Sequence, residues 1–173
     1  HVIAVVREAL GRLGARADAP AAELVLAVDG LGSRAARRWG QELGVDRVVL
    51  QGLGGLGSRL QRQLVRAHRE GARRIVLLGS DMPNLEPGDL GAAFRSLDAA
   101  PWVLGPAEDG GYWLIGARQP HPSPFVGLGG PMAWGTAAVL ASTLQLAAHW
   151  HLPVLLVARR ADLDRPADLR CWR

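Results

Sequence analysis

Lysine is absent from the sequence, and all 20 basic residues are arginine. Two kinds of site that need a primary amine are therefore excluded: the phosphate-binding lysine of Walker-type loops and the lysine that forms a Schiff base. Because 16 residues are acidic, the formal net charge is +4. This modest positive balance suits anionic substrates, but it is too small to indicate nucleic-acid binding.

Cysteine is scarce as well, and long apolar runs are missing. Cys171 is the only cysteine, so a disulfide within this sequence and a cysteine-based zinc site are excluded, and we expect a reducing, cytoplasmic environment. The most apolar tract, residues 133–158, is interrupted by polar side chains and by Pro153. We therefore expect no membrane span, and no signal peptide is recognisable.

Short apolar runs alternate with amphipathic segments along the whole sequence. Ile75–Leu78 is a continuous apolar run, typical of a strand that is buried on both faces of a parallel sheet. Amphipathic segments separate such runs at the spacing of helices, and no repeat or linker divides the chain. We therefore predict a single α/β domain over residues 1–173, with three layers (α/β/α) and a mainly parallel sheet.

Two acidic blocks form the candidate site. Ser80 and Asp81 directly follow the run Ile75–Leu78, at the end of the strand where open α/β sheets bind ligands. Further along the chain, Glu108 and Asp109 precede a pair of glycines. Hard divalent cations prefer carboxylate oxygens, and glycine lets backbone N–H groups approach an oxyanion. The pattern indicates a site for a metal and a phosphate.

Both blocks also have a purely structural interpretation. Asp81 precedes Met82-Pro83, and aspartate at such a position is a good turn former. Gly110-Gly111 is compatible with a tight turn. Glu108 and Asp109 are adjacent, so their side chains point to opposite sides of an extended segment. We therefore expect only one of the two carboxylates to face the site.

A glycine-rich loop follows the predicted strand that ends at Leu50. Gly52, Gly54 and Gly57 fit the spacing G-x-G-x-x-G of dinucleotide-binding loops, between a predicted strand and a predicted helix. An NAD(P) site, another phosphate-proximal loop and a plain turn are all compatible with this spacing. The NAD(P) interpretation leaves the Glu108 block without a role, which counts against it.

Three segments stand out: GSDMP at 79–83, LGPAEDGGYWLIG at 104–116 and ADLDRPADL at 161–169. Together they resemble a bacterial family of GT-A-fold proteins of unknown function that is often assigned to the nucleotide-diphospho-sugar glycosyltransferases. The resemblance extends over essentially the whole chain. It implies a GT-A-like fold that binds a nucleotide-diphosphate sugar through a divalent cation, Mg²⁺ or Mn²⁺.

The resemblance also implies roles for individual residues. Asp81 matches the acidic metal-binding position, and Asp164 falls in the C-terminal acidic motif as a second metal ligand. Glu108 or Asp109 would lie near the acceptor and act as the catalytic base. The remaining residues of this predicted site would contact the substrates; they are Ser80, Pro83, Gly110, Gly111, Trp134, Thr136, Gly54 and Gly57.

The sequence departs from the family pattern at several points. Gly55 and Ser58 stand where acidic residues are expected, and Gly135 replaces a serine. Such proteins also begin with a strand and a loop rich in Gly, Lys and Arg that contacts the nucleotide phosphates, and no counterpart precedes the first predicted helix. We therefore expect the domain to lack its first strand.

The leading hypothesis is a metal-dependent glycosyltransferase that uses a nucleotide-diphosphate sugar and an acceptor of unspecified chemistry. A nucleotidyltransferase on the same fold needs the same metal-bound phosphates and is the nearest alternative. A non-catalytic binding module derived from the fold and an NAD(P)-binding protein are the others. No nucleic-acid partner is expected, and the oligomeric state is left open.

Overall fold

The computed structural model describes residues 1–14 and 22–161. In these residues the chain forms five helices and six strands, in the order α1 (Val2–Gly14), β1 (Val25–Val28), α2 (Ser33–Leu43), β2 (Arg47–Leu50), α3 (Leu56–Arg69), β3 (Ile75–Leu78), α4 (Pro87–Ala99), β4 (Trp102–Pro106), β5 (Tyr112–Ala117), α5 (Val139–His149) and β6 (Val154–Leu156). None of these helices is long and apolar enough to cross a lipid bilayer.

The described strands form two sheets. β1 and β2 pair in parallel, and the other four strands lie in the order β3-β5-β4-β6. β6 is parallel to β4, whereas β5 is antiparallel to both of its neighbours, β3 and β4. The predicted α/β fold is confirmed, and β5 is the strand that departs from parallel pairing.

The direction of β5 follows from the short connection that precedes it. Only residues 107–111 join β4 to β5, whereas a parallel crossover needs about a dozen residues or more. The Ala107 N–H donates to the Gly111 carbonyl oxygen at 3.0 Å and closes the connection. The turn that carries Glu108 and Asp109 is therefore a tight hairpin turn.

Helices cover the four-stranded sheet on both faces, as a three-layer domain requires. On one face, α1 and α4 pack against the sheet through a cluster that includes Val6, Leu90 and Val103. On the other face, α3 and α5 pack against it through a cluster that includes Leu64 and Leu146. The fully apolar strand β4 is buried along its whole length, so the core lies around β4 and β5.

A buried carboxylate ties α4 to the segment that follows β6. Asp89 is 6% exposed; it accepts hydrogen bonds from the Glu86 N–H at 2.9 Å and from Arg160 Nη2 at 2.7 Å. The hydrogen bond to Asp89 raises the pKa of Arg160. The main chain of Arg160 pairs in turn with Pro106 and Glu108. Through Arg160, Asp89 therefore stabilises the segment whose main chain pairs with the β4–β5 turn.

We expect Asp89→Ala to lower the free energy of unfolding by about 2–4 kcal/mol. The change removes a hydrogen bond at the start of α4 and leaves Arg160 with only the exposed Glu86 carboxylate, at 3.6 Å. Asp98→Ala is the matched control, because Asp98 is 63% exposed where it pairs with Arg74, and it should cost less than about 1 kcal/mol. Urea unfolding followed by tryptophan fluorescence measures both; equal losses would contradict the prediction.

Candidate active site

Residues near the carboxyl ends of β1, β2 and β3 line a cavity of about 1330 Å³, together with residues of the β4–β5 turn. Ser80 and Asp81, which follow β3, line it together with Asp109, Gly111 and Thr136. Apolar strands whose carboxyl ends share an edge carry polar residues there, because the chain leaves the core at that point. Two carboxylates predicted from the sequence thus line one cavity.

Asp81 is held at the cavity by its neighbours along the chain. The Gly79 N–H donates to the Trp113 carbonyl oxygen at 3.1 Å, which fixes the end of β3 to β5. Met82, the next side chain after Asp81, is 2% exposed and anchors the segment in the core. Asp81 itself is exposed, and Ser80 Oγ lies 3.4 Å from its Oδ1. The carboxylate therefore sits on fixed backbone and faces solvent.

Glu108 and Asp109 take different positions in the hairpin turn. Asp109 lines the cavity, and its Oδ1 accepts the Gly111 N–H at 2.8 Å. Glu108 does not line the cavity; its N–H donates to the Arg160 carbonyl oxygen at 3.2 Å. Asp109 has no ion-pair partner within residues 1–14 and 22–161. One of its oxygens is therefore oriented by the backbone and the other is open to a ligand.

Gly110 joins this turn to the start of α5. Its φ is +91°, and a Cβ atom built on it would lie 2.4 Å from the Ala137 carbonyl oxygen, so both the conformation and the contact require glycine. The Leu140 N–H donates to the Gly110 carbonyl oxygen at 3.0 Å. This contact brings Thr136 to the cavity, where Thr136 Oγ1 donates to the Ala133 carbonyl oxygen at 2.8 Å.

An aromatic group forms the wall beside Thr136. Trp134 packs edge-on against Tyr112, with ring centroids 6.3 Å apart, and lies 6.4 Å from Phe125. Gly57 is buried beneath it, and a Cβ atom there would lie 3.0 Å from Trp134 Nε1. Trp113 is 3% exposed and donates from Nε1 to the Ala158 carbonyl oxygen at 3.1 Å. Trp113 is therefore a core residue.

The glycine-rich loop is bordered by two residues that line the cavity, Gln51 and Leu56, but its glycines do not line it. Gly52 and Gly54 adopt positive φ values of 79° and 106°. Arginines of α3 bind the loop carbonyl oxygens: Arg62 Nη2 donates to Leu53 at 2.8 Å, and Arg59 Nε donates to Gly54 at 2.7 Å. Neither Gly54 nor Gly57 lines the cavity, and the same holds for Pro83 and Gly110.

Arg59 is a cavity residue that the sequence did not single out. It lines the cavity and forms an ion pair with Asp29, which follows β1. It therefore places a cation at the same end of the cavity as the carboxyl ends of the strands. A basic residue in the first turn of a helix that follows a glycine loop is the available sequence signal, but many solvated helix faces share it.

The protein provides few ligands for a metal ion. Within residues 1–14 and 22–161, no three side chains of the His, Cys, Asp or Glu type converge. Asp164, the predicted second metal ligand, lies outside the described residues. Asp81 and Asp109 are the described carboxylates that line the cavity at this end.

Comparison with solved structures identifies the fold. A candidate nucleotide-diphospho-sugar transferase from Desulfovibrio desulfuricans G20 matches with a TM-score of 0.74 and 27% identity, covering 94% of this chain and 69% of that chain. Glucosyl-3-phosphoglycerate synthase from Mycobacterium tuberculosis, in complex with Mn²⁺, UDP-glucose and glycerol 3-phosphate, matches with a TM-score of 0.55 and 14% identity, covering 97% and 70%. At 14% identity this second likeness concerns the fold alone.

The fold is therefore the GT-A-like fold of nucleotide-diphospho-sugar transferases, as the sequence resemblance implied. Residues 12–136 match the family described as "Uncharacterized protein conserved in bacteria (DUF2064)", and the chain belongs to that family. No curated protein sequence gives a significant match.

Burial of Tyr112 predicts a stability change at alkaline pH. Burial raises the pKa of this phenol in the folded chain, whereas the unfolded phenol ionises near about pH 10. The free energy of unfolding should therefore be unaffected by Tyr112 below about pH 10 and fall above it, by up to about 1.4 kcal/mol per pH unit. Tyr112→Phe should lack this component of the fall.

The absorbance measurement reports on a single side chain. Tyr112 is the only tyrosine, so phenolate absorbance in the near ultraviolet follows this side chain alone. Guanidinium unfolding of the native protein and of Tyr112→Phe across the alkaline range gives the stability difference. A native phenol that titrates at its ordinary pKa, or identical pH profiles for the two proteins, would refute the prediction.

Proposed function

We propose that the protein is a metal-dependent transferase whose donor is a nucleotide-diphosphate sugar. The observation that carries the proposal is that Asp81 and Asp109 line the same cavity, at the carboxyl ends of the strands of a GT-A-like fold. In support, the synthase of similar fold from M. tuberculosis was solved with Mn²⁺ and UDP-glucose bound.

Asp81 is the residue we assign to the divalent cation, Mg²⁺ or Mn²⁺. The described residues offer too few ligands to hold such an ion without a substrate. This scarcity fits Mg²⁺ sites that use one or two carboxylates and take the remaining oxygens from substrate phosphates and water. A cation held by Asp81 would neutralise charge on the diphosphate leaving group. Asp164 remains a proposed second ligand.

Asp109 is the residue we assign as the general base. Its Oδ1 is occupied by the Gly111 N–H, which orients the carboxylate so that Oδ2 can accept a proton. In the proposed step, the acceptor hydroxyl loses its proton to Asp109 while its oxygen bonds to the anomeric carbon of the sugar. The bond between that carbon and the diphosphate breaks, and the nucleoside diphosphate leaves. Glu108 takes no part, since its side chain does not line the cavity.

The other cavity residues fit substrate binding. Ser80 and Thr136 present hydroxyl groups, and Arg59 places a guanidinium at the same end of the cavity. Arg59 already donates to the Gly54 carbonyl oxygen and to Asp29; because a guanidinium has five donors, we assign the remaining ones to phosphate oxygens. We assign Arg59 to the donor diphosphate, and Trp134 with Thr136 to the acceptor side.

Binding of the donor should depend on the metal ion, and binding of the metal ion should depend on the donor. In the presence of Mn²⁺ and one nucleotide sugar at about a hundred times its Kd, the unfolding midpoint should rise by about 5–10 °C. Mn²⁺ alone should give little change, because the protein supplies few ligands by itself. A panel of UDP-, GDP-, dTDP- and ADP-sugars, each with Mn²⁺ or EDTA, measures this by thermal unfolding.

Asp81→Asn should abolish the Mn²⁺-dependent rise while leaving the midpoint without ligand nearly unchanged, because Asp81 is exposed. Asp98→Asn, an exposed acid that lies outside the cavity, is the matched control and should keep the rise. A shift that persists in Asp81→Asn would refute the metal assignment. Release of pyrophosphate from a nucleoside triphosphate, rather than nucleoside diphosphate from a nucleotide sugar, would replace the proposal with a nucleotidyltransferase.

The two adjacent carboxylates should differ in their effect on turnover. Asp109→Asn should lower the rate of nucleoside diphosphate release by about 10²–10⁴-fold, the usual contribution of a general base. Glu108→Gln should change the rate by less than about threefold. Both variants should retain the donor-dependent thermal shift, which separates loss of chemistry from loss of binding. The opposite ranking of the two variants would overturn the assignment of the base.

A further inference from the structure

The loops that follow β1 and β2 expose large apolar side chains. Leu31 is 39% exposed and Leu53 is 90% exposed, and Leu56, at the start of α3, is 47% exposed. Each of these leucines has a glycine on both sides in the sequence, so no adjacent side chain shields it. Single exposed leucines are ordinary on a protein surface, whereas several that share one surface mark a contact site.

Strand register places the two loops side by side. The parallel ladder of β1 and β2 ends with the pair Val28 and Leu50, and each loop presents its first leucine three residues beyond that pair. Arg59 joins the two loops, because its guanidinium binds Asp29 in the first loop and the Gly54 carbonyl oxygen in the second. The exposed leucines of both loops therefore belong to one surface.

Arginine dominates the charge around these loops. Residues 30–41 contain three arginines and no acidic residue, and residues 47–69 contain five arginines and no acidic residue. Arg34 and Arg37 are exposed on α2 and form no ion pair within the part of the chain that the structure describes. The first turn of α2 contains Arg34 and no acidic residue, although the helix dipole disfavours a cation there. The surface thus carries positive charge that an anionic partner would balance.

The combination of exposed leucines and unbalanced arginines fits the surface of an anionic lipid bilayer. Leucine side chains enter the boundary between headgroups and acyl chains, and the arginines around them are attracted to the anionic headgroups. A surface for single-stranded nucleic acid would instead place aromatic side chains among the basic residues, as platforms on which bases stack. Neither loop contains an aromatic residue, so the bilayer is the partner that the side chains favour.

We propose that the loops after β1 and β2 form a peripheral docking surface for anionic membranes. We call it the leucine–arginine face; it comprises Leu31, Arg34, Arg37, Leu53 and Leu56. Leu56 also lines the cavity that Asp81 lines, so a bilayer bound at this face lies beside the candidate active site. The proposal does not rest on transferase activity, because the contact involves neither Asp81 nor Asp109.

Co-sedimentation with lipid vesicles measures this contact. The purified protein is mixed, without nucleotide or metal, with vesicles of phosphatidylcholine and phosphatidylserine in equal amounts, or with vesicles of phosphatidylcholine alone. The partition coefficient should be at least about 10-fold higher for the vesicles that contain phosphatidylserine, and high salt should reduce this difference because it screens the attraction to the headgroups. Equal partition onto both kinds of vesicle, or no binding to either, would overturn the proposal.

Substitutions in the leucine–arginine face should weaken vesicle binding without affecting the fold. Leu53→Ser should lower partition onto the anionic vesicles by about 10-fold, because Leu53 is the most exposed of the three leucines. Arg34→Gln combined with Arg37→Gln should lower it by about 10–30-fold, through the loss of two headgroup attractions. All three side chains are exposed, so the unfolding midpoints without vesicles should stay within about 3 °C of the unchanged protein.

Matched controls separate this face from general attraction to lipid. Leu156→Ser changes a leucine that is 53% exposed on β6, at the far edge of the four-stranded sheet. Arg69→Gln combined with Arg73→Gln removes the same charge from exposed arginines beyond the other end of α3. Both controls should keep the partition coefficient within about threefold. Losses in the controls equal to those in the face variants would overturn the proposal, as would binding to single-stranded RNA that the face variants abolish while vesicles are not bound.

Discussion

The site depends on the antiparallel position of β5 between β3 and β4. Because β5 starts at the sheet edge where β3 ends, the turn that precedes β5 lies at the same edge as Asp81. Two carboxylates that are far apart in the sequence thus line one cavity. The hairpin turn is short, and Gly110 lets Ala137, next to the start of α5, approach it more closely than a side chain would allow. If β5 paired elsewhere, Asp109 and Thr136 would leave the cavity together.

All 20 basic residues of the Lys and Arg type are arginine, and the geometry of the guanidinium explains the contacts that several of them make. Arg62 and Arg59 bind the carbonyl oxygens of the glycine-rich loop, while Arg160 binds Asp89 and pairs its main chain with the β4–β5 turn. A guanidinium offers five donors in a fixed plane, so one side chain can hold two acceptors at once. Arg62 of α3 thus fixes the glycine-rich loop through the carbonyl oxygens of Gln51 and Leu53.

Much of the fold follows from local sequence. The runs that become β1, β3 and β4 are apolar, and the helices between them carry one apolar face, so the α/β class and the two helical layers were predictable. The resemblance in three segments pointed to the family that the family match identifies. The choice between Glu108 and Asp109 was not predictable beyond the statement that one of them faces the site. Which one does so depends on the Asp109 bond to Gly111 and on the Arg160 segment, both set by contacts in space.

The sequence by itself determined the elements, the acidic residues at the strand ends and the lack of lysine side chains in residues 1–173, because these depend on residue type and on spacing along the chain. The tertiary structure alone decided the strand order, the reversal of β5, the position of Arg59 at the cavity and the cavity between β1 and β3. These features depend on which edges of the strands pair, and edge pairing joins residues that are distant in sequence. The local sequence pattern predicts which residues form a strand, but it does not predict which other strand pairs with it.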